Sequence, residues 1–313
     1  MVQFTRIAVI GSGIMGHGIA LVCAKGGYPV TLIDVSADAL ENAKGKLAQA
    51  MDQLIENDLA PAQSKDATLA RISYNTDMAV GVKDADIVFE AVPERLHLKE
   101  SVYADLERFC KPEAIFASNT SGISINTLAA LTKRPERFVG THFFMPAHIV
   151  PLVEVIQTKE TLEDVSDSVM TLLAELGKTP VLVKKDIAGF IGNRLQHALA
   201  REAMSLVQKG VASAEDVDTV VRTSLAIRLL FTGPMEQRDF NGLDTHMSIA
   251  EYLYPDLEDS HTPLNILVDA VEAGNYGLKS GKGFFDWTDK DIAAVTAKKN
   301  QQLIQVLKLL AKA

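Results

Sequence analysis

Few folds accommodate the order of residues with which this chain opens: Arg6-Ile7-Ala8-Val9-Ile10-Gly11-Ser12-Gly13-Ile14-Met15-Gly16-His17-Gly18. An apolar run stands directly before Gly-x-Gly-x-x-Gly, and small residues at helical spacing follow (Ile19, Ala20, Val22, Cys23, Ala24). That order is strand, tight turn and helix start. Gly11 permits the sharp turn, Gly13 lets the backbone approach a pyrophosphate, and Gly16 lets the helix pack on the strand. Unpaired amides and the positive end of the helix dipole then face the phosphates. Tyr28-Pro29-Val30-Thr31-Leu32-Ile33 reads as a second strand and Asp34 ends it, at about the 20-residue interval of a dinucleotide site. A carboxylate there takes the ribose hydroxyls of NAD and repels a 2′-phosphate. Neither Val35 nor Ser36 supplies the arginine that NADP calls for. The competing reading of Asp34 is a cap on the next helix; the favoured one is NAD.

At 313 residues the chain makes one large domain or two ordinary ones, with ample material for a core. Its 47% hydrophobic and 23% charged residues are those of a globular enzyme. A net charge of −9 argues against nucleic acid or an anionic membrane as partner. No apolar run reaches membrane-spanning length, and the early first strand leaves no room for a signal peptide. Cys23 and Cys110 are the two cysteines, without metal-type spacing, so reduced thiols in a cytoplasmic protein with no metal are expected.

Alternating strand and helix signals then predict a mainly parallel sheet covered on both faces. Leu40, Ala43, Leu47, Met51 and Leu54 recur at helical spacing, and a polar stretch and a short helix follow. Further strands are read at 85–91, 114–118 and 138–142, with late edge strands at 152–156 and 180–183. The pattern changes near Asp186. Beyond Gly189-Phe190-Ile191-Gly192-Asn193-Arg194 only helices are expected, first over 195–208 and last after Asp291. The resulting α/β architecture is a Rossmann-type, mainly parallel sheet with a second, all-helical C-terminal domain. Residues 1–187 make the NAD-binding domain, and 188–313 the helical substrate-binding and dimerisation domain.

Strands parallel to the first deliver their C-terminal ends to the cofactor edge of the sheet. Oxidising an alcohol with NAD needs a base for the hydroxyl proton, and histidine is the natural one near neutral pH. His142 stands at such a strand end, and Glu154, twelve residues on, is placed to return and hold its imidazole. The alternative is a packed histidine and a surface glutamate. His17 lies in the glycine turn, and His148 is near enough to His142 to line a pocket. His97, His197, His246 and His261 have no paired ligand at metal-type spacing.

These stretches together resemble the L-3-hydroxyacyl-CoA dehydrogenase family, which includes 3-hydroxybutyryl-CoA dehydrogenase. The likeness spans nearly the whole chain: Gly11–Gly16, Glu90-Ala91-Val92-Pro93-Glu94, Ser118-Asn119-Thr120-Ser121, Gly140-Thr141-His142-Phe143-Phe144, Gly189–Arg194 and Lys279-Ser280-Gly281-Lys282-Gly283-Phe284. The resemblance implies His142 as base, Glu154 as its partner, and Ser121 and Asn193 on the substrate oxygen. It implies that Gly11, Gly13, Ile14, Met15, Gly16, Asp34, Glu94, Lys99 and Asn119 surround the cofactor. It also implies a dimer formed by the helical domain.

Two departures bear on the substrate. The family's Asn-Pro after His-Phe-Phe is Met145-Pro146 here. Lysines that meet CoA phosphates in the helical excursion are replaced by Glu56-Asn57-Asp58, with only Lys44 and Lys46 nearby. Meanwhile Asn193-Arg194-Leu195-Gln196, Arg228, Gly233-Pro234-Met235-Glu236 and the last helix look like the lambda-crystallin and L-gulonate 3-dehydrogenase branch. Arg228 stands among Ala226, Ile227, Leu229 and Leu230, where a guanidinium can clamp a carboxylate or merely reach to the surface. The reading leans to a short free 3-hydroxy acid. The alternatives are 3-hydroxybutyryl-CoA dehydrogenase proper, a non-enzymatic crystallin-like nucleotide binder, and, more remotely, a flavoprotein.

Overall fold

The computed structural model describes residues 2–310. It divides into two compact units, Met1–Arg194 and Leu195–Ala313. The first is built on eight strands: β1 (Ile7–Ile10), β2 (Val30–Ile33), β3 (Ile72–Asn75), β4 (Ile87–Glu90), β5 (Ile115–Ser118), β6 (Phe138–Phe143), β7 (Leu152–Gln157) and β8 (Thr179–Val183). They lie in the order β3-β2-β1-β4-β5-β6-β7-β8. Pairing is parallel except between β6 and β7.

β1 explains why both faces are covered. Its four residues are all buried, with Ile7 and Val9 in one core cluster and Ala8 and Ile10 in the other. Alternate side chains leave a strand on opposite faces, so a continuous apolar run must be packed from both sides. On one side lie α1 (Ile14–Lys25), α2 (Ala37–Glu56) and, near the far edge, α7 (Glu163–Glu175). The short α3 (Lys65–Leu69) leads into β3. The other face takes α4 (Met78–Val82), α5 (Leu96–Phe109) and α6 (Ile125–Ala129). The chain order reverses between β1 and β4, which opens a crevice at the C-terminal strand ends.

One sequence expectation needs correction, and one strand went unread. The segment read as a late edge strand at 152–156 is interior: β7 pairs with β6 on one side and β8 on the other. Val153, Val155 and Ile156 are fully buried, as an inner strand requires. One edge is instead β3, whose Ser73, Tyr74 and Asn75 are polar enough to hide it from a search for apolar runs. α2 is capped by Ser36, whose hydroxyl accepts from the Ala39 amide, so the cap is not Asp34.

The second unit is helical. α8 (Gly192–Gln208) enters it, followed by α9 (Ala214–Val220), a π-helical turn at Val221–Leu225 and α10 (Ala226–Leu229). α11 (Glu236–Asn241), α12 (Leu243–Leu253), α13 (Asn265–Glu272) and α14 (Ile292–Leu310) complete it. Its described residues form isolated bridges at Gly277–Lys282 and Lys282–Asp286 but no named strand. Of these residues only Ser205, Leu264 and Ile304 are buried, whereas Val211, Phe231, Met235, Phe240 and Met247 are well exposed. Among the described residues no helix is long and apolar enough to cross a membrane.

Candidate active site

β6 and β7 bring the candidate base and its partner together by register alone. His142 and Glu154 are directly opposed in this antiparallel pair. Opposed residues project from the same face with their Cβ atoms about 5 Å apart. The loop between the strands fixes the twelve-residue interval. His142 Nδ1 lies 2.8 Å from Glu154 Oε2, and both side chains are buried. Glu154 Oε1 accepts from the amides of Ile191 at 2.9 Å and Gly192 at 2.8 Å, the second being the first residue of α8. Burial alone would raise the Glu154 pKa. The bonds from His142, Gly192 and Ile191 outweigh it, and the carboxyl sits below its ordinary value. A carboxylate only accepts, so Nδ1 is the donor in this bond, and in the neutral imidazole Nε2 then keeps its lone pair. The rings of Phe144 and Phe190 pack on the imidazole at centroid distances of 4.5 and 5.6 Å.

Ser121 and Asn193 are also brought together, since Asn193 Nδ2 donates to the Ser121 carbonyl at 3.3 Å. Asn119 Oδ1 accepts from the Phe143 amide at 3.0 Å, bracing the ends of β5 and β6. Glu94 holds the turn that carries Ser121. Its Oε1 accepts from the amides of Ser121 (3.1 Å) and Gly122 (3.0 Å) and from the Thr120 hydroxyl. Burial pushes the Glu94 pKa up, but Thr120, Lys99 and Gly122 bring it below the usual range.

Lys99 stands somewhere the sequence did not suggest. It is 1% exposed, with Nζ 2.7 and 2.8 Å from the two oxygens of Glu90 and 3.3 Å from Glu94 Oε2. Glu90, at 0% exposure, also accepts from the Tyr103 hydroxyl, the Ser118 hydroxyl and the Val92 amide. Every oxygen of this buried carboxylate is satisfied, as a charge in a dry interior requires. Burial first, and then the Glu90 charge, push the Tyr103 phenol well above its ordinary pKa. Sequence reasoning missed Tyr103 and gave the quoted Glu90 and Ser118 no role. The available signal was an acid closing the apolar strand Ile87-Val88-Phe89, with a lysine nine residues on.

At the glycine turn the geometry fits a dinucleotide. Gly11 has φ +92° and a Cβ there would lie 2.6 Å from the Ala91 carbonyl oxygen, whereas one on Gly13 would meet nothing within 4 Å. No side chain caps the N-terminus of α1, which leaves its first amides free of a side-chain partner there. Asp34 Oδ2 accepts from the Ser12 amide and hydroxyl, both at 2.8 Å, which sets a carboxylate beside the turn. An adenosine ribose suits that carboxylate and a 2′-phosphate does not.

Two other histidines have resolved surroundings. His17 Nδ1 is 2.6 Å from the Gly13 carbonyl oxygen. His148 is close enough to His17 and Lys178 to feel their charges; burial and these two neighbours lower its pKa to about 4. Burial pushes both the Cys23 and the Cys110 thiols up to about 12, so neither is a nucleophile at neutral pH. Met145 is 65% exposed. In the second unit Arg228 follows the π-helical turn and donates to the Ser224 hydroxyl at 3.1 Å, with no ion pair among the described residues.

Residues 6–187 match the 3-hydroxyacyl-CoA dehydrogenase NAD-binding domain, and residues 189–287 match the 3-hydroxyacyl-CoA dehydrogenase C-terminal domain. The chain belongs to the 3-hydroxyacyl-CoA dehydrogenase family. It is therefore an NAD-dependent dehydrogenase acting on a CH–OH group. Among its relatives is the 5-formyl-3-hydroxy-2-methylpyridine 4-carboxylate 5-dehydrogenase of Mesorhizobium japonicum, 36% identical over 97% of this chain and 98% of that one. A crystal structure of a 5-dehydrogenase acting on that compound, described as an NAD+-dependent dismutase, superposes with a TM-score of 0.93, 35% identity and 99% coverage of both chains. The (S)-3-hydroxybutyryl-CoA dehydrogenase of Ralstonia eutropha superposes with a TM-score of 0.77 at 34% identity, covering 91% of this chain and 99% of its own. This 3-hydroxyacyl-CoA dehydrogenase-family member thus shares 97% of its length with a relative whose named compound is a free carboxylate.

Proposed function

We propose that the protein oxidises a small hydroxy acid bearing a free carboxylate, or reduces the corresponding oxo acid, with His142 as the base. The observation that carries this is the bond between His142 Nδ1 and Glu154 Oε2, which aims an unprotonated Nε2 away from the carboxylate. NAD supplies the hydride acceptor when bound. His142 Nε2 takes the hydroxyl proton as hydride leaves the carbinol carbon, and Glu154 stabilises the imidazolium that results. In the reverse direction the imidazolium returns that proton to the carbonyl oxygen. Ser121 and Asn193 hold the reacting oxygen.

Gly11, Gly13, Ile14, Met15 and Gly16 bind the pyrophosphate, Asp34 the ribose, and Asn119 and Glu94 the nicotinamide side. Lys99 serves this site through Glu94, because its own ammonium is enclosed. Residues 1–187 serve as the NAD-binding domain and 188–313 as the substrate-binding and dimerisation domain.

Three features support a free acid. Arg228 is a guanidinium without a carboxylate partner among the described residues, beside a π-helical turn of the kind common at functional sites. Glu56 and Asp58 stand where the resemblance would put CoA-binding lysines, and Lys44 is paired with Glu41. The relative covering 98–99% of its own length acts, by its name, on a carboxylate without CoA. The second reading, 3-hydroxybutyryl-CoA dehydrogenase proper, is favoured by the family model and the Ralstonia structure. The intact set of His142, Glu154, Ser121 and Asn193 counts against a crystallin-like binder without activity.

The second unit supports a homodimer. A helical unit with three buried residues and many exposed Leu, Met, Phe and Tyr side chains resembles half of a shared core. The compartment assigned is the cytoplasm, where buried, unreactive thiols persist reduced.

His142→Gln should lower turnover about 10²–10⁴-fold while NADH binding survives; turnover within a few-fold of the parent would reject the base. Arg228→Met should raise the KM for a free 3-hydroxy acid about 10–150-fold, the equivalent of about 1.5–3 kcal/mol for a charged hydrogen bond. Efficient turnover of 3-hydroxybutyryl-CoA, none of free acids, and no effect of Arg228→Met would instead establish the second reading. Sedimentation at micromolar concentration should give twice the chain mass, and a single-chain mass would contradict the dimer.

A further inference from the structure

Phe190 occupies a backbone conformation that its side chain disfavours. Its φ is +48°, and the only other non-glycine with positive φ among the described residues is Asp58. A bulky residue in the left-handed region is an outlier that persists only when the surroundings over-determine it. Glycine or asparagine would adopt that turn more readily. Here the surroundings are the candidate catalytic pair. The Phe190 side chain is 2% exposed and its ring packs on the His142 imidazole. The two residues that follow it, Ile191 and Gly192, give both of their amides to Glu154 Oε1.

The left-handed step at Phe190 is what turns two successive N–H groups toward one oxygen. The preceding Gly189 is also left-handed, at φ +75°, and the Phe190 amide is tied to the Ile187 carbonyl at 3.0 Å. Gly192 completes the arrangement: a Cβ there would lie 2.5 Å from the ring of Phe144, which packs on His142 as well. The same short turn therefore fixes both the carboxylate and two aromatic surfaces of the imidazole.

We propose that Phe190 is a positioning residue for the dehydrogenase reaction: its left-handed backbone aims the Ile191 and Gly192 amides at Glu154, and its ring confines His142. The inference rests on His142 being the base. It adds a residue that acts through Glu154 and His142.

The test has two arms. In the first, ¹H NMR follows exchange with water of the His142 Nδ1 proton in the intact protein, with Glu154→Gln as the reference for a disturbed bond. Phe190→Leu should accelerate that exchange at least tenfold. In the second, Phe190→Leu, Glu154→Gln and the double variant are assayed for NADH oxidation with acetoacetyl-CoA and with acetoacetate, taking the better substrate. Phe190→Leu should lower kcat tenfold or more with little change in the KM for NADH. In the Glu154→Gln background it should cost less than threefold, because two residues acting through one bond are not additive.

Parental exchange of the Nδ1 proton, or a full, additive loss in the double variant, would overturn the proposal. Phe190→Met, whose flexible chain fills similar space, replaces Phe190→Leu if that variant does not fold. A failure of the base assignment is distinguishable, since His142→Gln would then be active while the exchange arm still reports on Phe190.

Discussion

The carboxylate of Glu154 is the point at which the first unit's separate parts meet. One oxygen takes the Nδ1 proton of His142 across the β6–β7 pair, and the other takes two amides from the turn that starts α8. A buried acid would ordinarily lean toward its neutral form. Three donors reverse that tendency, and the pKa of Glu154 falls. The ionised acid in turn dictates which nitrogen of His142 carries a proton. Sheet register, turn geometry and proton placement are thus set by one side chain.

A second buried acid does structural work on the cofactor side. Glu90 ends β4 and is matched by Lys99 from α5, with Tyr103 and Ser118 satisfying what remains. Lys99 passes the constraint to Glu94, and Glu94 fixes the turn bearing Ser121. Removing one partner of such a pair leaves an uncompensated buried charge and costs about 3–5 kcal/mol. The arrangement therefore couples the stability of the sheet to the geometry of the Ser121 turn. Net attraction between the ions is a smaller matter than the requirement that neither be left alone.

Much of this is legible in the sequence. The glycine turn, Asp34 and the strand-end position of His142 follow from periodicity and spacing, because each is a local pattern. The partnership of His142 with Glu154 was legible as a possibility only. Its reality depends on an antiparallel register that a twelve-residue interval permits but does not enforce. β3 was invisible because an edge strand with Ser73, Tyr74 and Asn75 lacks the apolar run of a central one. The resemblance places Lys99 at the cofactor, and nothing in a lysine's own sequence context says that it is 1% exposed. Phe190 has no legible role in the sequence, because a positive φ leaves no mark there unless the residue is glycine or asparagine.

The chemistry assigned to this family member depends finally on where one proton sits. ¹⁵N NMR of His142 in the free protein at neutral pH reads that directly. A pyrrole-type, protonated Nδ1 and a pyridine-type Nε2 are expected, with the distinction blurred in Glu154→Gln. A protonated Nε2 with a bare Nδ1 would leave His142 no lone pair for the substrate's hydroxyl proton and would contradict the account.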